Sequence, residues 1–278
     1  MTTTLGDKAA QFHALHRDRV LVLPNAWDVA SACLVAGAGA TAVATTSAGV
    51  AWSLGAPDGN RLDRDPAVEL VARVAAAVGV PVTADIETGF ADEPSGVAET
   101  VRRVIDAGAV GINLEDGARS GPLPLMPIEE YTARLSAARA AADATGVALF
   151  INARVDVFLR QVGERDSRVP AALERAAAYV EAGADGIFLP GVVDPETVAT
   201  LAKEVSVPLN VLAGPGAPSV STLADLGVAR VSVGSSLAQA AYAVVRRGAQ
   251  EVLSSGTYES LAGGLDYGEL NAAVAGRP

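Results

Sequence analysis

Three carboxylates stand where two short apolar runs end: Asp85 and Glu87 after Val80–Ala84, and Glu115, followed by Asp116, after Val110–Leu114. Asp85 and Glu87 are two residues apart, so an extended segment would point both side chains to one face. Converging carboxylates repel one another unless a hard cation sits among them, and an all-oxygen ligand set suits Mg2+ or Mn2+. The plainer alternative makes each acid a cap for the helix that follows its strand. Three acids on neighbouring strands favour the metal reading. The next run, Ala148–Ile151, ends in Asn152, Arg154 and Asp156, which adds a cation to the group.

Other nucleophiles and bases are scarce. Lys8 and Lys203 are the only lysines, and neither falls at a strand end, which argues against a Schiff-base mechanism. His13 and His16 both precede the first strand on an expected helix. That leaves no histidine for a hydrolase triad or an imidazole-bound metal. Cys33, the single cysteine, falls mid-helix as a packing residue and excludes an intrachain disulfide. Acid–base work therefore falls to carboxylates, a tyrosine or water, and no organic cofactor is expected.

These groups must be positioned by a repeating scaffold. Apolar runs rich in Val and Ile recur at Val20–Leu23, Ala40–Ala44, Val80–Ala84, Val110–Leu114, Ala148–Ile151, Gly186–Leu189, Leu209–Leu212 and Ala229–Val233. Helical patterns separate them, among them Pro66–Val78, Val97–Ala107, Ile128–Ala144, Pro170–Ala182 and Pro195–Val205. Eight strand–helix repeats without a break in composition predict one (β/α)8 TIM-barrel domain over residues 1–278, with a doubly wound open sheet as the alternative. A helical tail from about residue 255, with an extra helix over Tyr267–Val274, packs either on its own barrel or on a neighbouring subunit. Half the residues are hydrophobic and 4% aromatic, which suits Ala, Val, Leu and Ile strands buried on both faces. In such barrels chemistry gathers just past the C-terminal strand ends. Asn25 and Asp28, Thr45 to Ser47, Asn113, Asn210, Ser232 and Ser235 fall there, and Asn113 and Asn210 are read as substrate contacts.

A net charge of −11 and a pI near 4.7 argue against nucleic acid. They leave an anionic small-molecule carboxylate open, because a bound metal and one arginine reverse the local field. Val29–Pro57 carries no charged residue. Its glycines and its Thr45-Thr46-Ser47 cluster make it a buried helix, strand and loop rather than a membrane span. Met1–Lys8 lacks the pattern of a signal peptide, so a cytoplasmic location is expected.

The ordered pieces Pro24-Asn25-Ala26-Trp27-Asp28, Thr45-Thr46-Ser47-Ala48-Gly49, Gly55-Ala56-Pro57-Asp58, Ala84-Asp85-Ile86-Glu87-Thr88-Gly89-Phe90, Asn113-Leu114-Glu115-Asp116 and Asn152-Ala153-Arg154-Val155-Asp156 resemble the isocitrate lyase/phosphoenolpyruvate mutase superfamily. The resemblance covers about residues 10 to 240. It implies that Asp85, Glu87 and Glu115 hold Mg2+, some of them through waters, and that the metal is chelated by a 2-oxo or 2-hydroxy acid. It further implies that Ser47, Ala48 and Gly49 bind the substrate carboxylate, that Arg154 contacts the substrate oxygens, and that Asp58 borders the reacting atom as base or gate. Glu115 joins Asp58 and Arg154 as a catalytic candidate. Breaking a C–C or P–C bond beside the 2-oxo group would generate an enolate, with Mg2+ and Arg154 as fixed positive charge.

The sequence departs from the superfamily's lyases in the loop Gly117–Pro124, which lacks their cysteine, lysine and histidine; it also lacks the mutase lysine. Ala91 stands where the metal motif frequently has glycine. The reading is a Mg2+-dependent C–C lyase or decarboxylase for a small 2-oxo or 2-hydroxy (di)carboxylic acid. Alternatives are a P–C hydrolase or mutase, and a barrel that binds an oxo acid without turnover. A further one is a phosphate site built from Ala213–Gly216 and Ser232–Ser236. Arg119 and Ser120 are candidates for a distal substrate group, with a solvated loop as the plainer role. The superfamily's exchange of a barrel helix between subunits implies a homodimer or homotetramer.

Overall fold

The computed structural model describes residues 3–118 and 123–276. Helix α1 (Leu5–Asp18) comes first, then β1 (Leu21–Leu23), β2 (Asn25–Ala26), α2 (Val29–Gly37), β3 (Val43–Thr45), α3 (Ser47–Ser53), α4 (Arg64–Ala77) and β4 (Val82–Asp85). Next come α5 (Pro94–Asp106), β5 (Gly111–Glu115), α6 (Ile128–Thr145), β6 (Phe150–Arg154), α7 (Arg168–Glu181) and β7 (Gly186–Leu189). The chain ends with α8 (Pro195–Glu204), β8 (Leu209–Leu212), α9 (Val220–Asp225), β9 (Arg230–Ser232), α10 (Ser236–Ser255) and α11 (Tyr267–Ala275).

All strands are parallel, in the order β1-β9-β8-β7-β6-β5-β4-β3-β2. β1 and β2 are two pieces of one segment, one paired to β9 and the other to β3, so the sheet returns on itself as a TIM-type barrel. Pro24 divides the pieces because it has no N–H to donate to a ladder. Asn25 restores the closure with its side chain. Its Oδ1 accepts from Val233 N at 3.0 Å and Gly234 N at 2.8 Å, while its Nδ2 donates to Thr45 O at 2.9 Å. These bonds have a second consequence: the backbone amides of the expected phosphate loop around Val233 and Gly234 are already engaged.

The base of the barrel is plugged. Phe12 of α1 packs with Leu21, Leu23, Ala42, Ala44 and Phe150. Gly111 faces this plug, and a Cβ there would sit 2.6 Å from the Phe12 ring. His16 stacks on Phe150 at 3.9 Å, and its Nδ1 donates to Phe12 O at 2.8 Å. The expected helix around both histidines is thus α1, capped by Thr4 and Asp7. The uncharged stretch resolves into α2, β3 and α3. No helix among the described residues is long and apolar enough to cross a membrane. The expected tail helix is α11, which rests against α2 of its own chain. One loop expectation changes: Ser47, Ala48 and Gly49 form the first turn of α3.

Two outcomes test this reading of the fold. Asn25→Leu strands two amides and a carbonyl, which is expected to cost about 2–4 kcal/mol in urea unfolding. Burial, and secondarily the charge of Arg230, hold His16 neutral, with its pKa lowered from 6.5 to about 3. Below pH 6.5 the unfolded chain binds a proton that the folded one refuses, so stability falls with pH. Wild type is expected to lose about 2 kcal/mol more than His16→Phe between pH 7.5 and 5.0; equal losses would refute the assignment.

Candidate active site

The C-terminal ends of β3 to β6 bring the expected acids and arginine to one end of the barrel. Asp85 closes β4 and sits beside Asn113 in the ladder. Its backbone N–H donates to Thr45 Oγ1 at 2.9 Å, and its carboxylate accepts from Ser47 N at 3.1 Å and Glu87 N at 3.2 Å. Asp85 therefore caps the start of α3, whose own cap residue Thr46 makes no side-chain bond. The capping alternative is realised here, but on a neighbouring helix rather than the following one.

Strand alternation does not place Glu87. The chain leaves β4 at Asp85, and Glu87 adopts a left-handed backbone with φ +50°. Asn60, also left-handed at φ +60°, meets it from the loop before α4. Asn60 N donates to Glu87 Oε2, and Asn60 Oδ1 accepts from Thr88 Oγ1 at 2.6 Å. Two non-glycine residues held in this sparsely populated region mark a strained, over-determined junction. It ties the loop carrying Asp58 to the acid motif. Desolvation, and secondarily the charge of Asp85, raise the Asp58 carboxyl above the usual range, against the pull of Gly59 N–H and Arg154.

Glu115 ends β5 fully inside the protein. Its carboxylate lies 2.6 Å from Arg154 Nη1. Burial raises its pKa to about 8, opposed by Arg154 and reinforced by the charges of Asp156, Asp85 and Glu87. Arg154 is forked onto Asp156 as well, at 2.6 Å through Nε and 3.0 Å through Nη2. Asp156 in turn accepts from Arg160 Nε at 3.2 Å. Asp116 belongs to the support beneath. It accepts from Asp156 N at 2.9 Å, Tyr179 Oη at 2.8 Å and Arg175 Nη1 at 3.0 Å.

Among the described residues, no three His, Cys, Asp or Glu side chains already converge as a metal cage. Asp85, Glu87 and Glu115 are instead engaged with α3, with Asn60 and with Arg154. The donor set still fits a hard cation, since the carboxylates are all oxygen and the charges of Asp85 and Glu87 add to burial in raising Glu115. Mg2+ keeps several waters and needs only one or two direct carboxylates.

Over residues 12–253 the sequence matches the family described as Phosphoenolpyruvate phosphomutase. The chain belongs to this family. An uncharacterized protein of Mycobacterium tuberculosis strain H37Rv is 39% identical over 265 residues, 95% of each chain. The 2-methylisocitrate lyase of Escherichia coli K12 is 33% identical over 201 residues, 70% of this chain and 66% of the lyase. The solved structure of a phosphonopyruvate hydrolase in complex with oxalate and Mg2+ is 27% identical, with a TM-score of 0.84, covering 97% of this chain and 95% of the other.

In this member of the phosphomutase family the loop after β5 is held at its stems. Gly117 bridges Leu125, Ala118 N donates to Pro124 O at 3.1 Å, and Arg160 and Arg175 donate to Pro124 O and Met126 O. Arg119 and Ser120 lie outside the described residues. Gly49 is required by packing, because a Cβ would sit 2.7 Å from Trp27 Cβ and 2.8 Å from Thr46 Cγ2. Asn210 is buried with both ends of its amide bonded inside the barrel, to Asn152 and to Arg230 O and Ser232 Oγ. Asn60 and Arg230 escaped the sequence reading. Asn60 sits in an irregular loop with no periodicity. Arg230 could have been found, since it is two residues from Ser232 and must share its inward face. A groove of about 560 Å³ between α2 and α11, lined by Cys33, Ala77, Glu269 and Ala273, lacks any comparable cluster of charged groups.

Arg154→Met would leave Glu115 and Asp156 buried without their shared cation. The expected loss is about 3–5 kcal/mol in urea unfolding at pH 7.5.

Proposed function

We propose that this chain is a Mg2+-dependent carbon–carbon lyase or decarboxylase acting on a small 2-oxo or 2-hydroxy (di)carboxylic acid. The observation that carries the reading is the buried contact of Arg154 with Glu115, beside Asp85 and Glu87 at the barrel's C-terminal end. Asp85, Glu87 and Glu115 would hold the metal, partly through water. When bound, Mg2+ would supply Lewis acidity toward the substrate's carboxylate and 2-oxo oxygens.

The chain's own residues do the rest. With the Ser47 N–H donated to Asp85, the Ser47 hydroxyl and the Ala48 and Gly49 N–H groups in the first turn of α3 would meet the substrate carboxylate, where helix dipole and amides favour an anion. Arg154 is held rigidly by Asp156, so it meets negative charge developing on the 2-oxo oxygen without reorganising. Asp58, at the rim and raised in pKa, is placed to take or hold a proton at the atom that loses its bond. Asn113 lines the floor between Asp85 and Asn152. P–C bond hydrolysis would use the same carboxylate-binding half and differ in its leaving group; the likeness to a phosphonopyruvate hydrolase favours including that substrate in any assay. Exposed Val245, Leu253, Tyr258 and Tyr267 on α10 and the tail support a homo-oligomer.

Calorimetry with oxalate provides the first test. Binding is expected only when Mg2+ is present, and Asp85→Ala should weaken it at least tenfold, about 1.4 kcal/mol. Oxalate binding indifferent to both Mg2+ and Asp85 would sink the proposal. Turnover of oxaloacetate, 2-methylisocitrate and phosphonopyruvate then separates the reaction types.

A further inference from the structure

Arg230 is 1% exposed and lies inside the barrel. Three strands, β6 to β8, separate β9 from β5 in the sheet, so its contact from Nη2 to Asn113 Oδ1 at 3.2 Å crosses the lumen. Asn113 Oδ1 also accepts from Asn152 Nδ2 at 2.9 Å. Asn152 Nδ2 reaches Asn210 Oδ1 at 3.0 Å as well, and Asn210 Nδ2 donates to Ser232 Oγ at 3.2 Å and Arg230 O at 3.1 Å. The three amides thus form a chain that starts and ends on β9.

A guanidinium only donates hydrogen bonds, whereas an amide can be turned either way. Arg230 therefore sets the polarity at the Asn113 end of the chain, as the Val211 and Arg230 carbonyls, which can only accept from Asn210 Nδ2, set it at the other. Asn113 must show it an oxygen, Asn152 must then show Asn113 its NH2, and Asn210 must show Asn152 an oxygen. Both lone pairs of Asn113 Oδ1 are used from within the barrel, which leaves its Nδ2 for the strand ends where Asp85 and Glu115 stand. Stability alone gives no account of this arginine. Its Nε and Nη1 meet no acceptor among the described residues, and an apolar side chain of similar volume would avoid that desolvation cost.

We propose that Arg230 is a positioning residue: it locks Asn113 with Nδ2 toward the pocket, so that Asn113 donates a hydrogen bond to an oxygen of the bound acid and selects ligands carrying an acceptor there. This inference rests on the 2-oxo-acid reading of the site.

The test combines side-chain amide NMR with calorimetry. The Asn113 15N–1H2 pair is assigned by its disappearance in Asn113→Ala. In ligand-free protein, Arg230→Met is expected to shift that pair; an unmoved pair overturns the proposal. Oxalate with Mg2+ should bind about three- to tenfold more weakly to Arg230→Met, the loss of one well-aimed hydrogen bond. In an Asn113→Ala background the same substitution should have no further effect, and additive losses would overturn the proposal. Should Arg230→Met fail to fold, Arg230→Lys keeps the charge, loses the fork and must move the Asn113 pair in the same way. Absence of Mg2+-dependent oxalate binding in wild type would refute the 2-oxo-acid reading, while the ligand-free spectra would still decide whether Arg230 sets the amide.

Discussion

Everything at the top of this barrel depends on one arginine held between two buried carboxylates. Arg154 bridges Glu115 and Asp156, and without it both acids would be buried with no cation beside them. Its geometry is set from below, since Asp156 is fixed by Arg160 and by a backbone bond to Asp116, which Arg175 and Tyr179 hold in turn. Arg154, Arg160 and Arg175 are thus interleaved with Glu115, Asp156 and Asp116. A wall built this way is stiff, because its dipoles are already oriented.

The scaffold under this group is built from small residues. Strand and helix surfaces of Ala, Val and Leu pack closely, and glycine at 49 lets Trp27 approach the α3 turn. Small residues at the contacts leave few rotamers to fix, so backbone position is well determined. The cost is tolerance: at Gly49 or Gly111 even a methyl group must displace a neighbour.

Much of this was legible in the sequence. Recurrent Val- and Ile-rich runs with intervening helical periods pointed to the barrel, and the acids and arginine at run ends pointed to the candidate site, because strand termini are where periodicity stops and polarity begins. The side-chain directions were less accessible. Glu87 was expected to share a face with Asp85, but that inference assumes an extended backbone, and the chain turns left-handed just past the strand. Ser47 to Gly49 read as loop because Thr, Ser and Gly are weak helix formers; the turn is stabilised by Asp85, 38 residues away in sequence. Asn113, Asn152 and Asn210 were visible as strand residues, yet their mutual bonding depends on which strands face each other across the lumen, which periodicity does not encode.

The plug at the base has a further meaning for traffic. Phe12, Phe150 and the neutral ring of His16 close the lower end with stacked aromatic surface, and Leu21, Leu23, Ala42 and Ala44 pack beside them. The lumen is thus a blind well rather than a conduit. Whatever enters at the strand ends must leave by the same opening, so under the proposed cleavage both products would have to share that one mouth.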